Sequence, residues 1–232
     1  MSGRSSVAGG PADHHGLGGL ADAGAFLARL TRLDSAAVVR LRSADSGRTE
    51  LWARLPWSVL VQRTVAGPGP GDVTVSAAEL LGCLAAGDPG MPAGRDGNWR
   101  WALPSGPART VESVPVDDLR RVAAAAAGTL RAAETQGVGG RAVGQRALRD
   151  ALLDHVAIVV TADDGPARRI EVRQAMVQAV VRMGFLGNAS GSAVVRVRIV
   201  GSWVALEAPF GVAWIQRVNT LALSPMIVHP NG

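Results

Sequence analysis

Arginine recurs at alternate positions in two similar five-residue segments, VVRLR and VVRVR, and this spacing is the strongest chemical signal in the chain. The segments contain Arg40 with Arg42 and Arg196 with Arg198. In a β-strand, alternate side chains share one face, so each arginine pair would lie opposite an apolar row. Guanidinium groups pair with phosphates and stack on bases or aromatic rings, so such a row could bind single-stranded nucleic acid.

The candidate contact surface extends over two strand-rich blocks, which together carry the whole net charge of +5. Residues 36–70 contain five arginines against two acids, and residues 193–218 contain three arginines against one acid. The candidate residues are Arg40, Arg42, Trp52, Arg54, Arg63, Arg196, Arg198, Trp203 and Arg217. The alternative is an ordinary solvated sheet face whose arginines pack over Trp52 and Trp203.

Residues that could perform catalysis are few. Asp154 and His155 could form an acid/base pair, but a histidine after a helical stretch is typical of a helix C-terminal cap. His14 and His15 provide two metal ligands in a segment predicted to be flexible, and this makes a poor metal site. Cys83 is the single cysteine and lies in an apolar helical pattern. With no nucleophile elbow, phosphate loop or zinc motif, the sequence predicts a non-enzymatic protein without cofactor or metal.

Composition indicates a folded protein of the cytoplasm. Apolar residues make up 47% of the 232, and mean hydropathy is slightly positive at +0.18. All 24 basic residues are arginine, and lysine and tyrosine are absent, which is typical of a GC-rich and specifically an actinobacterial genome. Residues 1–19 lack the apolar core of a signal peptide, and no apolar run is long enough to span a membrane.

The two arginine-containing blocks are predicted to be copies of one unit. In each block an apolar helix precedes three strands, and a proline followed by an aromatic residue separates the second strand from the third. The matching pairs are Pro56-Trp57 with Pro209-Phe210, and Gln62-Arg63 with Gln216-Arg217. The sequence therefore predicts an α/β (α+β) fold of two α-β-β-β units related by internal duplication, with mostly antiparallel sheets and packed helices.

Composition shifts divide the chain into five regions. The glycine-rich run at 137–144 is the predicted boundary between halves. The regions are a tail at 1–18, a first half with a long helix at 19–136, a linker at 137–144, a second half at 145–223 and a tail at 224–232. In the first half, Ser76 and Glu79 form a capping-box pattern, and alternation predicts a short strand at 99–103 with Trp99 and Trp101 on one face.

Several short stretches resemble a pattern found in uncharacterised actinobacterial proteins. They are 95–100, Leu103-Pro104, Val114-Pro115, 151–154 and 182–187. The resemblance covers most of the chain from about residue 30. It implies the lineage and a single-unit architecture, and it implies no activity and no site residues.

These observations favour a non-enzymatic protein that acts by binding a macromolecular partner, either another protein or a second copy of itself. The first alternative is a nucleic-acid-binding protein that uses the arginine and tryptophan face. The second alternative is an enzyme with an unrecognised site, because catalytic residues converge in space and need no shared motif. No membrane partner is predicted.

Overall fold

The computed structural model describes residues 13–45, 47–136, 144–162, 168–188 and 191–217, which form five α-helices and ten strands. The helices are α1 Leu20–Leu33, α2 Ala77–Ala86, α3 Val116–Gln136, α4 Gln145–Asp154 and α5 Gln174–Arg182. The strands are β1 Val38–Ala44, β2 Arg48–Arg54, β3 Leu60–Ala66, β4 Asp72–Ser76, β5 Arg109–Pro115, β6 Val156–Ala162, β7 Arg168–Arg173, β8 Val194–Val200, β9 Trp203–Ala208 and β10 Gly211–Gln216.

Eight strands form one antiparallel sheet in the order β4-β1-β2-β3-β10-β9-β8-β5, and β6 and β7 form a separate hairpin. The two predicted units, α1 with β1–β3 and α5 with β8–β10, meet where β3 pairs with β10. This seam is short, and its central pair is Val61 with Ala213. Each unit contributes its third strand to the seam, so the units are related by an approximate twofold axis. The predicted fold class is confirmed.

The core lies between the sheet and the helices. Alternate residues of the central strands, among them Leu41, Leu51 and Val197, are fully buried on the face that the helices cover. Phe26 of α1 stacks on Phe185, just after α5, with ring centroids 6.4 Å apart. Gly211, the first residue of β10, lies against the Phe185 ring. The two repeated units therefore share one core, because an aromatic pair joins them.

Two predicted helix ends are present. Ser76 precedes α2, and its Oγ accepts a hydrogen bond from the backbone N–H of Glu79, as the capping-box pattern predicts. His155 occupies the C-cap position of α4, and its carbonyl accepts a hydrogen bond from Gln174 N–H. No helix in the described ranges is long and apolar enough to cross a membrane.

One local prediction is wrong, and turns set the ends of two other elements. Residues 99–103 form no strand, because Trp99 leaves a 3-10 turn, Asp96–Asn98, and its N–H donates to Asp96. β3 begins at Leu60, because residues 55–59 form a tight turn in which Ser58 has φ +68°. α5 ends at Arg182, and a turn containing Gly184 follows it.

The predicted division of the chain stays a prediction. The tail residues 1–12, linker residues 137–143 and everything from 218 onward lie outside the described residues. The described part of the predicted tail, 13–18, lies beside the end of β3, where Gly18 N–H donates to the carbonyl of Ala66. The cytoplasmic location and the actinobacterial origin also stay predictions.

Candidate partner-binding groove

The predicted arginine row lies on one face of the large sheet, opposite the helices. Arg40 in β1 pairs in register with Trp52 in β2, and the row continues through Gln62 in β3. It then passes through β10 and β9 to Arg196 in β8. Because cross-strand partners share a face, both arginine pairs and Trp52 are on the same side of the sheet.

An irregular segment, residues 99–108, covers the centre of this face. Its Trp99, Trp101 and Leu103 pack on a second apolar cluster that includes Trp52 and Trp214. Trp52 is therefore only 3% exposed, and its Nε1 donates to Glu50 Oε2 at 2.9 Å. A buried indole cannot stack on a base, so Trp52 belongs to the packing of the sheet.

Most of the arginines on this face are matched by acids. Arg40 donates from Nε and Nη2 to the two carboxylate oxygens of Asp72 at 2.6 and 2.8 Å, and Arg42 lies 3.5 Å from the same carboxylate. Arg198 donates to Glu207 at 2.8 Å. Arg40 also lies 5.7 Å from the centroid of the Trp99 ring. Packing of arginine over tryptophan, the alternative drawn from the sequence, is therefore present here, although with Trp99.

The Arg40–Asp72 pair predicts a specific pH dependence. Hydrogen bonds from Arg40 hold the pKa of the Asp72 carboxyl below its usual value, and Asp72 raises the pKa of Arg40. A carboxyl whose pKa falls on folding stabilises the fold above its unfolded pKa, and this stabilisation disappears as pH drops through the folded pKa. Since the pair is partly exposed, we expect D72N to cost about 0.5–1 kcal/mol at pH 7 and the difference to shrink as pH falls below the unfolded pKa of aspartate towards the lower pKa of folded Asp72.

Urea denaturation at pH 7, 5 and 3 measures this difference between wild type and D72N. Glu134→Gln, at an exposed position of α3, is the matched control, and its free energy of unfolding should stay within about 0.5 kcal/mol of wild type at all three pH values. A constant difference between wild type and D72N across the three pH values would contradict the assignment.

Arg63 and Arg217 lie apart from the other predicted residues. Arg63 pairs in register with Leu51 and is therefore on the helix side of the sheet, where it donates to Asp22 and to the carbonyl of Phe210, each at 2.6 Å. Arg217 follows β10 and donates to the carbonyl of Gly201 at 2.8 Å. The nine predicted residues therefore do not form one surface.

A groove of about 750 Å³ opens where the covering segment reaches the end of β2, and we call it the tryptophan groove. Its lining includes Arg54, Trp57, Ser58, Leu60, Arg100, Trp101, Ala102, Asp150, Asp154, Arg173, Trp203 and Ile215. Two of these, Arg54 and Trp203, belong to the predicted contact surface. The others come from the β2–β3 turn, the start of β3, residues 100–102, β10, α4 and the end of β7.

The two best-fixed indoles of the groove are each held by named contacts. Trp57 donates from Nε1 to the carbonyl of Ala175 at 3.1 Å, and Arg182 lies 5.9 Å from its ring centroid. Trp101 meets Trp99 edge to face with centroids 5.2 Å apart. Both indoles remain half-buried, so they present apolar surface without being free to reorient.

Charges of both signs line the tryptophan groove. Arg54 donates to Ser58 Oγ at 2.6 Å and lies 5.1 Å from the centroid of Trp101. Arg173 lies 3.5 Å from Asp154. Arg100 is exposed. Among the described residues neither Arg54 nor Arg100 forms an ion pair, so this end of the groove retains positive charge.

The residues considered for chemistry lie outside this groove, apart from Asp154. His155 is exposed at the end of α4 and is not part of the groove lining. His14 is exposed, whereas His15 is buried and its Nδ1 accepts a hydrogen bond from Leu17 N–H. In the described ranges no three potential metal ligands cluster. The absence of enzymatic activity stays a prediction.

Sequence reasoning missed Trp57, Arg100 and Trp101 as site residues. The Trp-Arg-Trp run at 99–101 was the available signal, because it stands out in a chain with only 4% aromatic residues. Nothing local indicates that Trp57 lies beside Ala175, which is 118 positions away.

The fold is similar to that of DNA polymerase sliding clamps. It resembles the DNA polymerase sliding clamp from Pseudomonas aeruginosa with ligand, with a TM-score of 0.52, 12% identity, 94% of this chain covered and 68% of the clamp covered. For the DNA polymerase III subunit beta from the same organism the TM-score is 0.50 and the identity 11%, with 92% of this chain and 67% of that subunit covered. For the beta subunit from the DNA polymerase of Streptococcus pyogenes the TM-score is 0.50 and the identity 11%, with 85% of this chain and 62% of that subunit covered. At these identities the likeness shows the fold alone, over about two thirds of a clamp.

Residues 103–220 match the family described as domain of unknown function DUF8185, and residues 15–101 match domain of unknown function DUF8010. The first match covers half of the chain, so the protein belongs to the DUF8185 family. The predicted resemblance to a family of unknown function is confirmed. The two matched regions meet within the segment that covers the sheet. A comparison with curated proteins gave no match.

Proposed function

We propose that this chain is a non-enzymatic binding protein that holds a protein partner in the tryptophan groove. The observation that carries the proposal is the convergence of three half-buried indoles, those of Trp57, Trp101 and Trp203, beside arginines that have no acidic partner in the described part of the chain. Tryptophan and arginine dominate the binding energy of protein interfaces. Half of the six tryptophans in the chain therefore lie where a partner would use them.

The chemistry of the groove supports binding over catalysis. Its hydroxyl group, Ser58 Oγ, accepts a hydrogen bond from Arg54, and the groove lining includes no histidine that could act as its base. Its two carboxylates, Asp150 and Asp154, are exposed on α4. The structures that share the fold are described as clamps or subunits of DNA polymerases, and this supports a role within an assembly.

Affinity capture from the native cell tests the proposal. The wild-type chain should retain a specific protein, identified by mass spectrometry, and the variant W101A/R100Q should retain at least about tenfold less, because hot-spot truncation costs about 2 kcal/mol or more. The matched control is F210A/R131Q, which removes an exposed aromatic ring and an exposed arginine outside the groove. Equal retention by all three chains would overturn the proposal.

Nucleic-acid binding is the second candidate, and the arginines on the covered sheet face favour it. Arg196 is exposed, and Arg40, Arg42 and Arg198 lie on the same face. Their pairing with Asp72 and Glu207 reduces the charge available to phosphates. A salt-dependent shift of a labelled oligonucleotide, lost when the four arginines become alanine, would support this candidate over the protein partner. No shift at low salt would eliminate it.

Self-association is the remaining form of the interaction proposal, and the outer edge of β5 supports it. The opposite edge strand, β4, is covered, because Arg95 N–H donates to the carbonyl of Thr74 and Thr74 N–H donates to Asp96. Within the described part of the chain β5 ends the large sheet, and β6 lies beside part of it in a separate sheet, so the rest of its outer edge offers backbone groups to a second strand. Light scattering that gives a dimer mass would support self-association, and a monomer mass would exclude it.

A further inference from the structure

We infer that the tryptophan groove accepts an acidic peptide segment that carries a bulky apolar side chain. The inference rests on the proposed function and adds the chemistry of the partner. It depends on three features of the groove: its unmatched positive charge, its fixed indole surface and the position of its two carboxylates.

The positive charge is concentrated beside Trp101. The Arg54 guanidinium has a neutral hydrogen-bond partner, Ser58 Oγ at 2.6 Å, and lies over the Trp101 ring. Arg100 is the neighbour of Trp101 in the chain and its side chain is exposed. A guanidinium has five N–H donors in a planar fork that matches a carboxylate. These two arginines therefore provide donors that a carboxylate from a partner could accept.

The acids of the groove are already matched by other arginines. Asp154 lies 3.5 Å from Arg173, and Asp150 lies 3.9 Å from Arg146 on the same helix. Within the described ranges neither carboxylate forms an ion pair with Arg54 or Arg100, so the charge of these two arginines stays uncompensated. Charge complementarity across an interface selects the partner, so the groove selects an acidic one.

The apolar part of the groove fits a large side chain. Trp57 is anchored by its hydrogen bond to the Ala175 carbonyl, and Trp101 by its edge-to-face contact with Trp99. Anchored aromatic rings offer contact area at low entropic cost. A volume of about 750 Å³ is within the range of about 300–1,000 Å³ in which pockets enclose whole ligands.

A peptide fits this distribution of charge better than a nucleic acid does. Asp150 and Asp154 are one helical turn apart on α4, and both line the groove. A nucleic-acid strand would place evenly spaced phosphates against these carboxylates, and like charges in contact disfavour binding. A peptide can place its carboxylates at Arg54 and Arg100 alone and its apolar side chain over the indoles.

Fluorescence anisotropy with a labelled heptapeptide tests the inference on the full-length chain. The probe has a central tryptophan between two glutamates, and the comparison probe has glutamines in place of the glutamates. We expect the acidic probe to bind about tenfold more tightly than the comparison probe. We expect R54Q/R100Q to abolish this difference and W101A to weaken both probes about tenfold. The control R131Q, on α3, should change neither affinity.

Three results would overturn the inference: equal affinity for the two probes, affinity for the acidic probe that R54Q/R100Q leaves unchanged, and displacement of the probe by an oligonucleotide of equal charge at low concentration. The last result would assign the groove to nucleic acid. Failure of the inference is separable from failure of the proposed function. If capture of a cellular protein still depends on Trp101 while acidic probes fail, only the partner chemistry is wrong.

Discussion

Replacement of Phe185 by alanine is expected to lower the free energy of unfolding by about 3–5 kcal/mol, the range for a buried phenylalanine. The Phe185 side chain is fully buried, stacks on Phe26 and borders Gly211. It therefore joins α1, the end of α5 and the start of β10, so its removal leaves a cavity between the repeated units. Urea denaturation followed by circular dichroism measures the loss as a lower midpoint with an unchanged slope.

Phe210→Ala is the matched control for this prediction. Phe210 is the aromatic residue of the second proline-aromatic corner, is 44% exposed and lies under the Arg63 guanidinium, with 5.6 Å to the ring centroid. Its removal leaves no enclosed cavity, so we expect a loss of at most about 1 kcal/mol. Equal losses for the two variants would show that Phe185 does not join the two units as described.

The second prediction concerns Gly211 at the first position of β10. A Cβ on this residue would lie 2.5 Å from the Phe185 ring, closer than any van der Waals contact permits. Because the ring is packed on all sides, it cannot move away without strain. We expect Gly211→Ala to lower the free energy of unfolding by about 1–3 kcal/mol, the usual cost of overpacking a core.

Gly82→Ala is the same substitution at another position, and we expect it to raise the free energy of unfolding instead of lowering it. Gly82 lies inside α2, and apart from the adjacent residues and the backbone of the helix itself no described atom lies within 4 Å of an added Cβ. Alanine favours the helix over glycine, so we expect a gain of about 0.5–1 kcal/mol. Thermal unfolding of Gly211→Ala and Gly82→Ala measures these opposite changes in stability directly. A stable Gly211→Ala variant would contradict the close packing of β10 against Phe185.

The repeated unit could be predicted from sequence because its signals are local. Alternation in VVRLR and VVRVR, the apolar helix before each block and the proline-aromatic corner all follow from residues close in the chain. The seam between β3 and β10 could not be predicted in the same way. Its partners, such as Val61 and Ala213, are far apart in sequence, and pairing at that distance is decided by tertiary packing.

The two edge strands of the large sheet, β4 and β5, also could not be predicted from the sequence. β4 has only five residues between a Gly/Pro-rich break and the Ser76 cap, and β5 is largely exposed, so neither shows a clear buried alternation. The groove depends on the path of residues 99–108 across the sheet. That path has no periodicity, because it is set by packing of Trp99 and Trp101 on Trp52 and Trp214. Pattern reasoning therefore placed the arginines on one face but could not show that the face is covered.

Photo-crosslinking in the native cell tests the tryptophan groove most directly. Ala102 lines the groove and is exposed, and Ala125 is an exposed alanine of α3 outside it. A benzoylphenylalanine at either position reacts only with groups in contact with it. We expect the side chain at position 102 to form a covalent adduct with a protein partner and the one at position 125 to form none. An adduct with the same partner from position 125, and none from position 102, would contradict the assignment of the groove.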